Sequence, residues 1–324
     1  MSLSTSLLGT LAAAVMAHSS GALGVAQAVQ PAAVPPAEMS FEQLQACIAA
    51  SKADCDYEMG RRYFMGQGLP VNYETSFQWY QKAAQEGQPT AMAMLASAYE
   101  GGVGTAKDDA LAFSWYGKGA AAGNVMAMDA MGRYYERGGP VTASKPDAVK
   151  WYSQAANKGS ADAMANLARI YEADGNMPAA LDWGKKAAQA NNVWAAYTVG
   201  EIYYNGRGGV KADPAAALPW YQMAAYWNLP QAQYQLARMY YNADGVKNDD
   251  IEAYVWMSIA AERGEVNAQD DFTTLQPQIT ADQRQQVETR KAERMQEIKT
   301  RSNAAGIFVY PLGTTDDQVK PATP

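Results

Sequence analysis

Histidine is almost absent from this chain. Its single copy, His18, stands in an apolar leader, so a chain trimmed past that point carries no imidazole at all. Cysteine is nearly as scarce, with only Cys47 and Cys55. These shortages remove the Ser-His and Cys-His arrangements of nucleophilic catalysis and the usual zinc sites. Carboxylate-only or lysine-assisted chemistry survives them, yet no carboxylate pair is set apart by its spacing from the charged helix faces. No Asp, Glu, Lys or Arg occurs before Glu38, and the formal net charge is −7. The basic footprint that phosphate binding needs is therefore missing, which argues against nucleic acid or anionic lipid as the partner. Also missing is an uninterrupted apolar run of the ~20 residues that a membrane-spanning helix requires.

What the chain does have at its start is the short apolar run Leu7 to Ala17, then small residues, then Ala26-Gln27-Ala28 before Val29. That pattern predicts a signal peptide over residues 1–28, and with it export of the mature chain. The run lacks a basic residue ahead of it, and His18-Ser19-Ser20 interrupts it, so an Ala-rich leader without a targeting role is the alternative. No Cys follows the cleavage site to take a lipid. Residues 29–39 read as a disordered linker. Cys47 and Cys55 flank the polar link Ser51-Lys52-Ala53-Asp54, a spacing open to a disulfide that staples a first helical hairpin in an oxidising compartment, or to two buried thiols.

The body of the chain is periodic. Tryptophan falls at 79, 115, 151, 183, 220 and 256, with steps of 36, 36, 32, 37 and 36 residues, and Tyr63, Tyr99, Tyr135, Tyr171, Tyr203 and Tyr240 run in step with it. An Ala stands three residues before most of these tryptophans, and an Ala pair such as Ala155-Ala156 follows. Eight residues past each Trp comes Gly87, Gly123, Gly159, Asn191, Asn228 or Gly264, residue types that tolerate the left-handed conformation at a helix end. Four further on, Ala91, Ala127, Ala163, Ala195, Ala232 or Ala268 opens the next helix. Gly-rich stretches such as Gly101-Gly102-Val103-Gly104 separate the two helices of a unit. They lack the Lys-Ser/Thr ending of a nucleotide loop and recur in nearly every copy, so they read as tight turns.

Leu/Met-Gly/Ala-x-x-Tyr, then Gly-x-Gly-Val, then Ala-x-x-Trp-Tyr-x-Lys-Ala-Ala-x-x-Gly resembles the Sel-one-like repeat (SLR), a cousin of the tetratricopeptide repeat, over about residues 55 to 265. The resemblance implies an all-α, right-handed α-solenoid of about six helix–turn–helix SLR/TPR-like repeats. It also implies an adaptor or scaffold of the bacterial envelope that acts by binding protein and uses no cofactor or metal. The Cys47/Cys55 spacing is similar to the disulfide-stapled repeats of the family's cysteine-rich branch. Relatives in that branch have been linked to β-lactam hydrolysis, but no serine here stands in a nucleophile motif. We therefore expect the solenoid over 40–265, capping helices over 266–301, the last opened by a capping box at Thr280-Ala281-Asp282-Gln283, and a disordered tail over 302–324. Copy four lacks the Gly-rich turn and has Asp174-Gly175-Asn176-Met177-Pro178 instead, which predicts either a tolerated shortening or a change of curvature with a distinct niche. Pro219 in copy five predicts a kink.

Counting the opening Ala of the first helix as position zero, a 100° step places positions 0, 1, 4, 5 and 8 on one core-facing side. Position six lies opposite and holds Arg61, Ser97, Arg133, Arg169, Glu201 and Arg238. Positions two and nine add Tyr57, Phe64, Tyr197, Tyr204, Tyr234 and Tyr241, with Glu100, Glu136 and Glu172 in the middle copies. Arg and Tyr are favoured at interface hot spots, so this row is the candidate partner-binding lining of the concave face. For Arg133 with Glu136 and Arg169 with Glu172, solvated i,i+3 pairs are the competing explanation. The leading expectation is a periplasmic or secreted scaffold for one protein partner. Its alternatives are an immunity or regulatory protein that occludes a toxin, effector or envelope sensor, an assembly spacer, and, least favoured, a cell-wall or β-lactam hydrolase.

Overall fold

The computed structural model describes residues 34–275 and 279–304. The expected signal peptide, most of the linker and nearly all of the tail lie outside the described residues. Within them all regular structure is helical. After a short 3-10 turn at Pro36–Glu38 and α1 (Phe41–Ala49), six hairpins follow, each with a first helix A and a second helix B. They are α2 (Ala53–Met65) with α3 (Tyr73–Gln85), α4 (Pro89–Gly101) with α5 (Asp109–Ala121), and α6 (Val125–Arg137) with α7 (Lys145–Asn157). Then come α8 (Ala161–Ala173) with α9 (Met177–Gln189), α10 (Val193–Asn205) with α11 (Pro214–Tyr226), and α12 (Pro230–Asn242) with α13 (Asp250–Glu262). The chain ends in α14 (Val266–Leu275) and α15 (Ala281–Ala304). From α1 to α14 each helix packs on its predecessor and its successor, the connectivity of an α-solenoid, and α15 folds back on α13 and α11.

Every hairpin helix is 13 residues long, and the same local devices set both of its ends. Helix B begins at Asn72, Asp108, Ser144, Asn176, Asp213 or Asp249, whose side chain accepts a hydrogen bond from the first turn. The amide of that same residue donates back to the carbonyl of the periodic Tyr, as from Ser144 to Tyr135 at 2.7 Å. Helix B ends where the expected residues turn left-handed, at Gly87, Gly123, Gly159, Asn191, Asn228 and Gly264. The turn between A and B is also tied to the neighbouring copy. A Cβ on Gly104 would lie 2.1 Å from the carbonyl oxygen of Tyr73, and one on Gly245 would lie 2.3 Å from the amide nitrogen of Ala215. The turn of one copy thus rests directly on the first turn of helix B in the copy before it.

Positions zero and four of helix A are buried in all six copies, as the helical wheel predicts. On helix B the core plug is the residue after the Trp. Tyr80, Tyr116, Tyr152 and Tyr221 are buried, and a Cβ on the facing Gly60, Gly132 or Gly200 would come within 2.6–2.8 Å of the ring. The tryptophans themselves are half-buried in the first five copies, and Lys82, Lys118 and Lys186 stand over the Trp79, Trp115 and Trp183 rings at 5.2, 3.9 and 4.5 Å.

At the N-terminal end Arg62 donates to the Met39 carbonyl at 2.6 Å, so the expected structureless linker does not extend to residues 36–39. Cys47 and Cys55 are buried together with Cα atoms 6.0 Å apart. Helix α11 runs through Pro219 at the same length as its siblings. At the far end the capping box forms, Thr280 N donating to Gln283 Oε1 at 2.8 Å and Gln283 N to Thr280 Oγ1 at 3.2 Å. Val287 and Ile298 of the α15 that follows are buried in the same core as Trp256 and Ile259. Glu252, buried beneath α15, accepts from both Arg294 and the Trp256 indole at 2.8 and 2.9 Å, so the cap closes the last hairpin without an unpaired charge.

Candidate protein-binding groove

The A helices lie side by side, and across α6, α8 and α10 they form a groove of about 760 Å³. Its mouth is set by the residue just before position zero in three successive copies: Met126, Asp162 and Trp194. Trp194 is 57% exposed and meets Tyr197 edge-on at 6.1 Å. Positions two and six supply Asp129, Arg133, Ala165 and Arg169, and Asn166 and Glu172 complete the α8 wall. Burial pushes the Asp129 carboxyl above its ordinary range, with Arg133 opposing that and Asp162 adding to it. The floor reaches helix B at Ala180 and Gly184 of copy four. This is the niche that the shortened copy suggested.

The groove wall is held by a ladder between copies. Glu100 accepts from Arg137 at 3.0 Å and lies 3.8 Å from Arg133, Glu136 accepts from Arg169, and Glu172 pairs with Arg207 at 2.9 Å. The i,i+3 pairs Arg133–Glu136 and Arg169–Glu172 are not formed. The i,i+3 spacing would allow them, but each carboxylate faces the next copy, whose arginine reaches back to it. Arg133 also lies 3.6 Å from Asp129. Both arginines stay exposed at the groove edge.

Six Sel1 repeats are matched by the family model, at residues 53–88, 89–124, 125–160, 161–192, 195–226 and 230–265. The chain belongs to the Sel1 repeat family. Among solved structures it is similar to c5321, a protective antigen of uropathogenic Escherichia coli strains with an SLR fold. The identity is 25%, the match covers 85% of this chain and 68% of that one, and the TM-score is 0.54. A Sel1 repeat protein from Oxalobacter formigenes is 28% identical over 69% of this chain and 91% of that one, with a TM-score of 0.61. The immunity protein Pa5087 of Pseudomonas aeruginosa is 21% identical, covering 65% and 81% of the two chains at a TM-score of 0.44, a likeness of fold alone. A search of curated protein sequences returned no match. Sel1 repeats in general mediate contacts between proteins and are not catalytic. Among the described residues no group of three His, Cys, Asp or Glu could hold a metal ion, and no helix is long and apolar enough to cross a membrane.

The remaining row residues of this Sel1 chain fall into two end clusters. At the first end Arg61 is tied to Glu58 at 2.7 Å and to Gln67 at 2.8 Å, Tyr57 packs on Tyr80, and Phe64 lies exposed against Tyr73. Phe64 also borders a small cavity of about 90 Å³ with Met94 and Val103. At the far end Tyr204 donates to Asp244 at 2.7 Å and Tyr234 to Asp271 at 2.8 Å, while Arg238 lies over the Tyr234 ring and Tyr241 is exposed. Neither cluster joins the central groove, whose lining takes Arg133, Arg169 and Glu172 from the predicted row, with Tyr197 against Trp194 at its mouth. Trp194 and Gly184 were missed. Trp194 falls outside the tryptophan series, and Gly184 stands directly after Trp183, where four other copies carry Tyr.

Proposed function

We propose that this Sel1 protein is a non-catalytic scaffold of the bacterial envelope or the secreted fraction that grips one protein partner in the groove of α6, α8 and α10. The observation that carries this reading is the exposed Trp194 at the mouth of a groove whose rim holds Arg133 and Arg169. Trp and Arg supply most of the affinity at protein interfaces, and an indole left this open to water gains by being covered. Export is supported by the leader with its Ala26-Gln27-Ala28 site. A Cys47–Cys55 disulfide, which the 6.0 Å Cα separation accommodates, suits an oxidising compartment.

The test is site-specific photo-crosslinking in the producing cell, with the photoreactive residue at position 194 and, as a control, at the exposed Lys150 of α7. We expect one discrete protein adduct from position 194 that the control lacks and that Arg133→Glu with Arg169→Glu weakens. Identical adducts from both positions would remove the groove from consideration.

A further inference from the structure

The repeats carry an internal template for what copy four is missing. In copies two and three the tyrosine after the Trp passes from helix B between its own and the neighbouring A helices, and its hydroxyl donates to the position-nine glutamate on the groove face. Tyr116 donates to Glu100 at 2.9 Å and Tyr152 to Glu136 at 3.0 Å, in both cases to Oε2. The other oxygen, Oε1, takes the arginine of the next copy, Arg137 or Arg169. In copy four the tyrosine is replaced by Gly184, and the groove floor opens onto helix B there. Glu172 keeps the arginine half of the arrangement, Arg207 on Oε1, while its Oε2 receives no hydrogen bond among the described residues. A Cβ on Gly184 would lie 3.8 Å from the Cβ of Ala168, which holds position five, the place from which Gly60, Gly132 and Gly200 face the rings of Tyr80, Tyr152 and Tyr221 and where copy two also has an alanine, Ala96.

We propose that this vacated seat binds the side chain of a tyrosine presented by the protein partner. The ring enters between Ala168, Gly184 and Ile202, and the hydroxyl donates to Glu172 Oε2, as the chain's own tyrosines do one and two copies earlier. Trp194 at the mouth covers the segment that carries the tyrosine. The inference rests on the groove being the partner-binding face and names what that face selects. A carboxylate acceptor gives the slot a reason to prefer phenol over phenyl, since a hydrogen bond to a charged group is stronger than one to a neutral group.

The test uses the full chain and two small probes, N-acetyl-tyrosine amide and its phenylalanine analogue, followed by NMR at the Trp194 indole. Saturable binding is expected, about tenfold tighter for the tyrosine probe, with Glu172→Gln narrowing that preference. Gly184→Tyr should refill the seat and abolish binding. A Cβ there would lie 2.9 Å from Val199 Cγ2, so Gly184→Tyr is also made with Val199→Ala to keep the fold. Absence of saturation, equal binding of the two probes, or unchanged binding by the folded double variant would each overturn the slot. Binding seen only after residues 305–324 are removed would overturn partner occupancy and give the seat to the tail's own Phe308 or Tyr310. A crosslink from position 194 that persists in the Gly184→Tyr variant would sink the slot while leaving the groove function intact. Loss of that crosslink from the parent chain would sink the groove itself.

Discussion

Replacing Gly104 by alanine should loosen the first hairpin from the second, and Gly68→Ala supplies the control that isolates the cause. Both glycines sit in the A-to-B turn with nearly the same left-handed backbone, φ +70° and +71°. An alanine at either place incurs the left-handed cost of about 1–2 kcal/mol, partly offset by about 0.4–1 kcal/mol from a stiffer unfolded chain. Gly68 has open space around its missing Cβ, so its cost ends there, at about 1 kcal/mol. Gly104 does not. Its Cβ would stand 2.1 Å from the Tyr73 carbonyl oxygen and 2.9 Å from the Glu74 amide nitrogen, backbone atoms inside the first turn of α3 that cannot rotate away. The turn must lift off the preceding copy, adding the ~1–3 kcal/mol of an overpacked contact and bringing the total to about 2–4 kcal/mol. Hydrogen exchange is the suitable assay, because stability in a repeat array is local. Amides of α2 and α3 should lose protection in Gly104→Ala, those of α8 to α13 should not, and Gly68→Ala should leave the contrast between ends unchanged. Equal costs for the two variants would refute the claim that the turn glycines fix the stacking of copies.

Two further outcomes follow from the same geometry. Ala243 ends α12 at φ 59°, where Gly66, Gly102 and Gly206 end sibling helices, so Ala243→Gly should stabilise the chain by about 0.5–1 kcal/mol in urea unfolding. Burial pulls the Glu58 carboxyl upward, but hydrogen bonds from Arg61 and Arg62 outweigh this and hold it below the ordinary 4.5. A carboxyl whose folded value is depressed stabilises fully above its unfolded value and loses that contribution as pH falls through the folded one. The melting temperature of the parent should therefore fall more steeply than that of Glu58→Gln as pH drops below about 4.5.

The fold was legible because its signals are local and repeated. A Gly or Asn eight residues past a Trp ends a helix by its own backbone preference, and Thr280 with Gln283 closes a cap within three residues. The groove was legible only in outline. A wheel of 100° steps turns Arg133 and Arg169 away from the core, but their partners are set by the neighbouring copy. Glu136 and Arg169 are 33 residues apart, whereas Arg133 and Glu136 are adjacent turns of one helix, and single-helix spacing favours the pair that the stack does not make. The tryptophan series fixed the register correctly, yet the ring that fills the core is the less regular tyrosine beside it.

That irregularity is where this solenoid differs from a uniform rod. The short turn of copy four spans only residues 174–176, and the adjoining structure is rebuilt around it: Met177 is buried beneath Gly208, whose Cβ would meet the Met177 Cε at 2.1 Å. Arg207 from the same turn holds Glu172. If the space beside Gly184 were slack left by the deletion, these compensations would be expected to draw Ile202 and Val199 in until it closed, since an interior void forfeits contacts on every side. Val199 does come close, a Cβ on Gly184 lying 2.9 Å from its Cγ2, yet with Ile202 it still lines an opening to the groove. A position that five copies fill with Tyr or Met and one leaves as glycine, in a groove that also holds the exposed Trp194 and a Glu172 whose Oε2 takes no hydrogen bond among the described residues, is therefore better explained by a visiting side chain than by loose packing.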